Sequence, residues 1–194
     1  MPKDWTGNYK SVVGCLGAHN LTEEERQEHD YYATQPIAAE WLMRIEELDH
    51  NIWECACGQG HLAKVFMAGG HSVKSTDLID RGFGEGGIDF LKQTEIFHGD
   101  IITNPPYKYA QDFIEHALSL VEDGRKVCMF LKVQFLEGKR RRTLYETNPP
   151  KRIWVSTSRI QCGKNGDFHG SMIAYAWYVW EKGYHGDTVI KWFN

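Results

Sequence analysis

The chain has no apolar run long enough to cross a bilayer, so no spanning helix is expected. Its opening residues, MPKDWTGNYK, lack the apolar segment of a secretory leader. Internal repeats and low-complexity tracts are also missing, which argues against solenoids and fibres. Cysteine is sparse: Cys15, Cys55, Cys57, Cys128 and Cys162 are an odd number at no regular spacing. That argues against a disulfide framework and fits a cytoplasmic, reducing setting. Cys55 and Cys57 are too close for a CxxC motif and have no second pair, so no zinc site is expected. His61, His71, His98, His116 and His169 fall at no ligand spacing, and no metal is expected. Proline is scarce too, only six in 194 residues, yet two stand together in "DIITNPPYKY" (100–109), at the end of an apolar strand pattern. Proline donates no backbone hydrogen bond and stiffens the chain, so so rigid a strand end needs a reason.

What is present is ordinary for a globular protein: 42% hydrophobic and 25% charged residues. A length of 194 residues allows one domain with a sizeable core. The net charge is −4, but residues 132–164 carry nine Lys/Arg against two acids, a window of +7 that leaves −11 for the rest. Segregation of this kind makes either a cationic binding face or a solvated surface.

Residues 1–30 are polar and loosely patterned and read as an N-terminal arm; residues 31–194 read as one domain without a separate target-recognition unit. A helix is expected over TQPIAAEWLMRIEEL, with Ile37, Trp41, Ile45 and Leu48 as its apolar stripe. Strands are expected at 51–56, 71–78, 100–103 and 125–133, and helices at 61–70 and 109–124. This alternation predicts an α/β fold with a mostly parallel sheet and helices on both faces. The segments 151–158 and 172–182 are both strand-like with no helix between them, which predicts an antiparallel pair closing one sheet edge. Trp177, Tyr178 and Trp180 sit inside the second of these and are expected in the core.

In "ECACGQGHL" (54–62), Gly58 and Gly60 join the first strand to the first helix. Glycine there permits a tight turn and a close ligand approach, at the place where α/β sheets bind ligands. Ala63 occupies the third position of a dinucleotide fingerprint, so spacing alone does not exclude NAD. Asp77, at the end of the second strand, can accept hydrogen bonds from both hydroxyls of a ribose. Asp89-Phe90 can bind an adenine amino group and stack on its ring. Asn104-Pro105-Pro106-Tyr107 ends the third strand at the same sheet edge.

From about residue 31 to 182 the chain resembles the S-adenosylmethionine-dependent adenine-N6 DNA methyltransferases, and above all their small phage and prophage members. Tyr32-Ala33-Thr34 with Pro36 resembles the segment that touches the methionine part of the cofactor. Glu54, Ala56, Cys57, Gly58 and Gly60 match the E-P-A-C-G-x-G loop, with Cys55 in place of its proline. Asp77 and Leu78 match the ribose-binding position, Asp89 and Phe90 the adenine-binding pair, and Asn104, Pro105, Pro106 and Tyr107 the catalytic motif. The resemblance implies a class I Rossmann-like fold with a seven-stranded sheet and an antiparallel last strand. It also implies S-adenosylmethionine as cofactor and DNA as partner.

That resemblance supplies a reason for the rigid strand end. An exocyclic amine must move toward tetrahedral geometry before its lone pair can attack a methyl group. The Asn104 side-chain oxygen and the Pro105 carbonyl can each accept one of its N–H bonds, aiming the lone pair. The prolines hold that carbonyl at little entropic cost, and Tyr107 can stack on the base. A base in a duplex has to be flipped out to reach such a pocket. Lys139, Arg140, Arg141 and Arg142 can then hold phosphates, and Phe168, in the loop 159–171, is a candidate to pack on the flipped base. The same motif serves amines of RNA bases and glutamine amides of proteins, so these acceptors stay open. A non-catalytic binding module is the alternative of another class. An NAD-dependent oxidoreductase leaves Asn104 to Tyr107 without a role.

Overall fold

In a computed structural model the described residues are 32–160, 162–164 and 173–194. The expected N-terminal arm and Phe168 lie outside them. The elements in chain order are β1 (Tyr32–Thr34), α1 (Ile37–Ile45), β2 (Asn51–Glu54), α2 (Ala63–Ala68), β3 (Ser72–Ser75) and β4 (Asp100–Thr103). They continue with α3 (Ala110–Leu120), β5 (Lys126–Lys132), α4 (Arg142–Thr147), β6 (Arg152–Ser156), β7 (Cys162–Lys164), β8 (Tyr175–Glu181) and β9 (Val189–Phe193). Seven strands form one sheet in the order β3-β2-β4-β5-β8-β6-β9, and β1 pairs with β7 in a separate two-stranded ribbon.

β2, β4 and β5 are short apolar runs buried on both faces, as central parallel strands require. Their side chains alternate between two cores. Ile101, Val127, Met129 and Leu131 pack under α3, while Ile52, Ile102, Cys128 and Phe130 pack under α1 and α2. Trp177, Tyr178 and Trp180 are core residues, as expected, and each polar tip is satisfied. Trp177 Nε1 donates to Ala38 O at 2.9 Å, Trp180 Nε1 to Asn148 O at 2.9 Å, and the Tyr178 hydroxyl to Lys132 O at 3.1 Å.

Two details differ from the sequence expectation. The β6–β8 pair is antiparallel, but it does not close the sheet: β8 lies between β5 and β6, and β9 adds a further parallel strand outside β6. β8 is the antiparallel strand of the mostly parallel sheet. Helix α1 buries Ala38, Ala39 and Leu42, whereas Ile37 is 37% exposed. The buried face is set by the two alanines, which let the helix backbone approach the sheet closely enough for Ala38 O to meet the Trp177 indole.

Chain order reverses beside β2: β3 lies on one side of it and β4 on the other, both parallel to it. The loops leaving β2 and β4 therefore part at a switch point, where open α/β sheets form their ligand crevice.

Candidate functional site

The turn after β2 is clamped at both ends by carboxylates. Asp77 Oδ2 accepts from Gly58 N at 2.7 Å, and Glu54 Oε2 accepts from Ala63 N at 2.8 Å. Between them Gly58 and Gly60 adopt φ of 55° and 77°, in the left-handed region. Gly60 has a second constraint: a Cβ there would meet the Phe83 ring at 2.4 Å. Part of the glycine pattern is thus a packing requirement of this fold.

Glu54 is 2% exposed. Burial pushes its carboxyl well above the usual range, the Ala63 N–H opposes that, and the charge of Asp77 adds to it. Asp77 also accepts from Ile79 N through Oδ1 at 2.9 Å. Each of its oxygens thus takes one backbone hydrogen bond and keeps a lone pair for a ligand hydroxyl. Leu78 follows it at 61% exposure, an apolar side chain at the strand end.

The register Ile52↔Asp100 and Trp53↔Ile101 carries β2 and β4 out side by side. Adjacent strands lie roughly 4.8 Å apart, so Asn104-Pro105-Pro106-Tyr107 leaves the sheet beside the glycine turn. Asn104 Nδ2 donates to Thr34 Oγ1 at 2.9 Å and approaches Cys162 Sγ at 3.9 Å. Thr34 and Cys162 face each other across the β1–β7 ribbon. Tyr107 is half-buried and interacts with Tyr175 and Cys162, and burial raises its hydroxyl pKa far above the ordinary value. Lys132 Nζ, at the end of β5, stands 4.7 Å from the Tyr107 ring centroid. A base stacking on that face has to displace the ammonium.

The remaining expected residues separate into distinct environments. Asp89 caps a short 3-10 turn through Leu91 N at 3.1 Å and pairs with Lys92. That turn directs Phe90 inward, where its ring packs edge-on to Trp53 and against Phe113. Phe90 is 2% exposed, so its ring belongs to the core and is not free to stack on an adenine. Tyr32 is placed by its backbone in β1.

The cationic window also divides. Lys139, Arg140 and Arg159 are exposed, with no ion-pair partner among the described residues. Arg141 folds back to the carbonyls of Phe135 and Glu137 and lies over the Phe135 ring, bracing its own loop. Arg142 pairs with Glu146 one turn along α4. Arg152 is spent inside the fold. It forks onto Glu46, with Nη2 at 2.6 Å from Oε2, while Trp154 Nε1 donates to the same carboxylate at 2.7 Å. Burial works against the Glu46 charge, but these partners outweigh it and hold the carboxyl below its ordinary range.

No described cysteine is a ready nucleophile. Burial pushes the Cys57 thiol up to about 12 and that of Cys162 up to about 11, and raises Cys55 and Cys128 well above the ordinary value. Among the described residues no cluster of His, Cys, Asp and Glu could hold a metal ion, and no helix is long and apolar enough to cross a membrane. Sequence reasoning missed Cys162, Lys132 and Tyr175 as neighbours of the motif. They reach it across distant strands, and no local pattern marks them.

No family model matches the chain, and no curated protein does. Solved structures do match. A protein of Listeria monocytogenes described as a class I S-adenosylmethionine-dependent methyltransferase superposes with a TM-score of 0.57 at 13% identity. The match covers 81% of this chain and 63% of that one, so this chain spans less than two thirds of its length. A protein of Pyrococcus horikoshii described as an RNA methyltransferase gives 0.57 at 14% identity, over 90% of this chain and 99% of that one. A predicted O-methyltransferase of Agrobacterium tumefaciens gives 0.57 at 14% identity, over 82% and 86%. The fold is that of the class I methyltransferases.

Proposed function

We propose that the chain is an S-adenosylmethionine-dependent methyltransferase that modifies an exocyclic amine, adenine N6 in DNA. The observation that carries this reading is the placement of Asn104-Pro105-Pro106-Tyr107 beside the glycine turn, at the switch point between β2 and β4. The residues present fit the cofactor. Gly58 and Gly60 turn the chain through positive φ at the end of β2, Asp77 retains lone pairs for ribose hydroxyls, and Leu78 offers an exposed apolar side chain beside it. When bound, S-adenosylmethionine supplies an electrophilic methyl on a cationic sulfur.

The chain's own contribution is to orient the acceptor. The Asn104 side-chain oxygen and the Pro105 carbonyl each accept one N–H of the amine, which turns its lone pair outward and stabilises the positive charge growing on nitrogen. Pro106 holds the strand end rigid through its fixed φ of −58°. Because the methyl donor is already a cation, the transfer needs no covalent enzyme intermediate and is a direct in-line displacement. Lys139 and Arg140 lie in the segment that follows β5, the strand next to β4, and are the exposed cations this reading assigns to phosphate contacts around a flipped base.

The test is transfer of tritiated methyl from S-adenosylmethionine to duplex DNA, to structured RNA and to protein offered in parallel. The reading expects label in DNA at adenine. Label in RNA or protein alone overturns the DNA assignment, and absence of cofactor binding by calorimetry overturns the enzyme assignment.

A further inference from the structure

An asparagine amide has a donor end and an acceptor end of nearly the same shape. Only one of its two orientations can accept a hydrogen bond from an amine; the other sets N–H against N–H. Something must choose between them. Asn104 Nδ2 faces two groups able to accept, Thr34 Oγ1 at 2.9 Å and Cys162 Sγ at 3.9 Å. Thr34 is 2% exposed, so water does not readily take the place of its hydroxyl. Its Oγ1 lies 4.0 Å from Cys162 Sγ, and a hydroxyl that gives its hydrogen to that sulfur is left only to accept, which admits the Asn104 nitrogen and turns away its oxygen. The register Thr34↔Cys162 brings the two side chains together on one face of the β1–β7 ribbon. The Asn104 amide therefore joins the ribbon to the catalytic strand end, beside the contact of Tyr107 with Cys162.

We infer that Thr34 is a positioning residue, which fixes the Asn104 amide with its nitrogen toward the ribbon and its oxygen toward the acceptor amine. The inference rests on the methyltransferase reading. It also gives Thr34 a role other than the cofactor contact implied by family resemblance, because the hydroxyl is buried and engaged with Asn104. Cys162 is the lesser partner, since sulfur accepts weakly.

Thr34→Val keeps the shape and removes the acceptor, whereas Thr34→Ser keeps the hydroxyl. Two measurements are made on each full-length variant. The first is hydrogen exchange of the Asn104 side-chain amide by NMR, assigned by its disappearance in Asn104→Asp. The amide is expected to be protected in the wild type and Thr34→Ser, and to exchange faster in Thr34→Val. The second is the separation of kcat from cofactor affinity. Thr34→Val is expected to lose about tenfold in kcat, the worth of one buried hydrogen bond, with the Kd for S-adenosylmethionine nearly unchanged, and serine to recover most of the loss. In an Asn104→Ala background Thr34→Val is expected to add nothing further. Unchanged amide exchange in Thr34→Val overturns the inference, as does a weakened Kd with intact kcat, which would return Thr34 to the cofactor. A wild-type chain that binds no S-adenosylmethionine overturns the enzyme reading instead, and the NMR arm separates that failure from this one.

Discussion

Replacing Gly60 with alanine separates two reasons for glycine in the turn after β2. The structure assigns the residue a φ of 77° and places the Phe83 ring where a Cβ would go, with Cδ1 and Cε1 at 2.4 Å and Cζ at 2.6 Å. Holding alanine in the left-handed region costs about 1–2 kcal/mol. Displacing the ring, which also carries Lys64 Nζ at 4.9 Å from its centroid, adds about 1–2 kcal/mol of overpacking. The sum, about 2–4 kcal/mol, corresponds to a fall of roughly 5–15 °C in Tm for a chain of this size. Thermal unfolding of Gly60→Ala, Phe83→Ala and the double variant provides the assay. Removing the ring relieves the clash but not the φ strain. The double variant should therefore be destabilised by at least about 1 kcal/mol less than the two single effects combined. Strictly additive variants would refute the packing argument and leave the φ of 77° as the structural reason for the glycine, and an unshifted midpoint in Gly60→Ala would refute both.

Three further outcomes test other parts of the account. Replacing Lys139 and Arg140 together with alanine should weaken DNA binding and lower the slope of log K against log salt by about 2, roughly 0.9 per lost phosphate contact. Arg141→Ala should instead lower thermal stability, because that side chain braces the 135–137 carbonyls; an undiminished slope in the double variant would place the patch off the DNA track. Arg152→Ala leaves Glu46 buried without its fork and should cost about 3 kcal/mol at neutral pH. Glu46 has a lowered pKa, so its contribution is present above its ordinary value of 4.5 and fades as pH falls through the folded value. The stability gap between wild type and Arg152→Ala, measured by urea midpoints, should therefore narrow below pH 4.5, and a gap unchanged in acid would contradict the ion-pair assignment. Glu54 has the opposite sign. Its raised pKa makes the ionised form unfavourable in the fold, so stability falls as pH rises toward the folded value, and Glu54→Gln should flatten that dependence.

The parts of the site that were legible in the sequence are those written locally. A buried strand, a glycine turn, an acid at the next strand end and a proline-stiffened tetrapeptide each carry their own pattern, and parallel α/β topology brings strand ends to one edge. What depends on a distant partner was not legible. Arg141 and Arg152 look like any surface cation until the Phe135 carbonyl and Glu46 are placed beside them. Phe90 follows Asp89 as a ligand-binding pair would, but the Asp89 cap turns its ring toward Trp53. The stripe expected for α1 is half right: Trp41, Ile45 and Leu48 pack partly buried against the core, but close backbone approach seats Ala38 and Ala39 there and leaves Ile37 exposed. The contact of Thr34 with Asn104 spans 70 positions and depends on a ribbon pairing that leaves no periodicity to read.

The central claim is that Asn104 and the Pro105 carbonyl hold an adenine amine beside the glycine turn. It is tested most directly by mapping N6-methyladenine in DNA from cells that express the wild-type chain or Asn104→Ala. The account predicts methylated adenines with the wild type and a loss of about 10²–10³-fold in rate with the variant, the scale of one removed transition-state hydrogen-bonding group, while S-adenosylmethionine still binds. Methylated adenine at equal levels with both chains, or none with either despite cofactor binding, would contradict it.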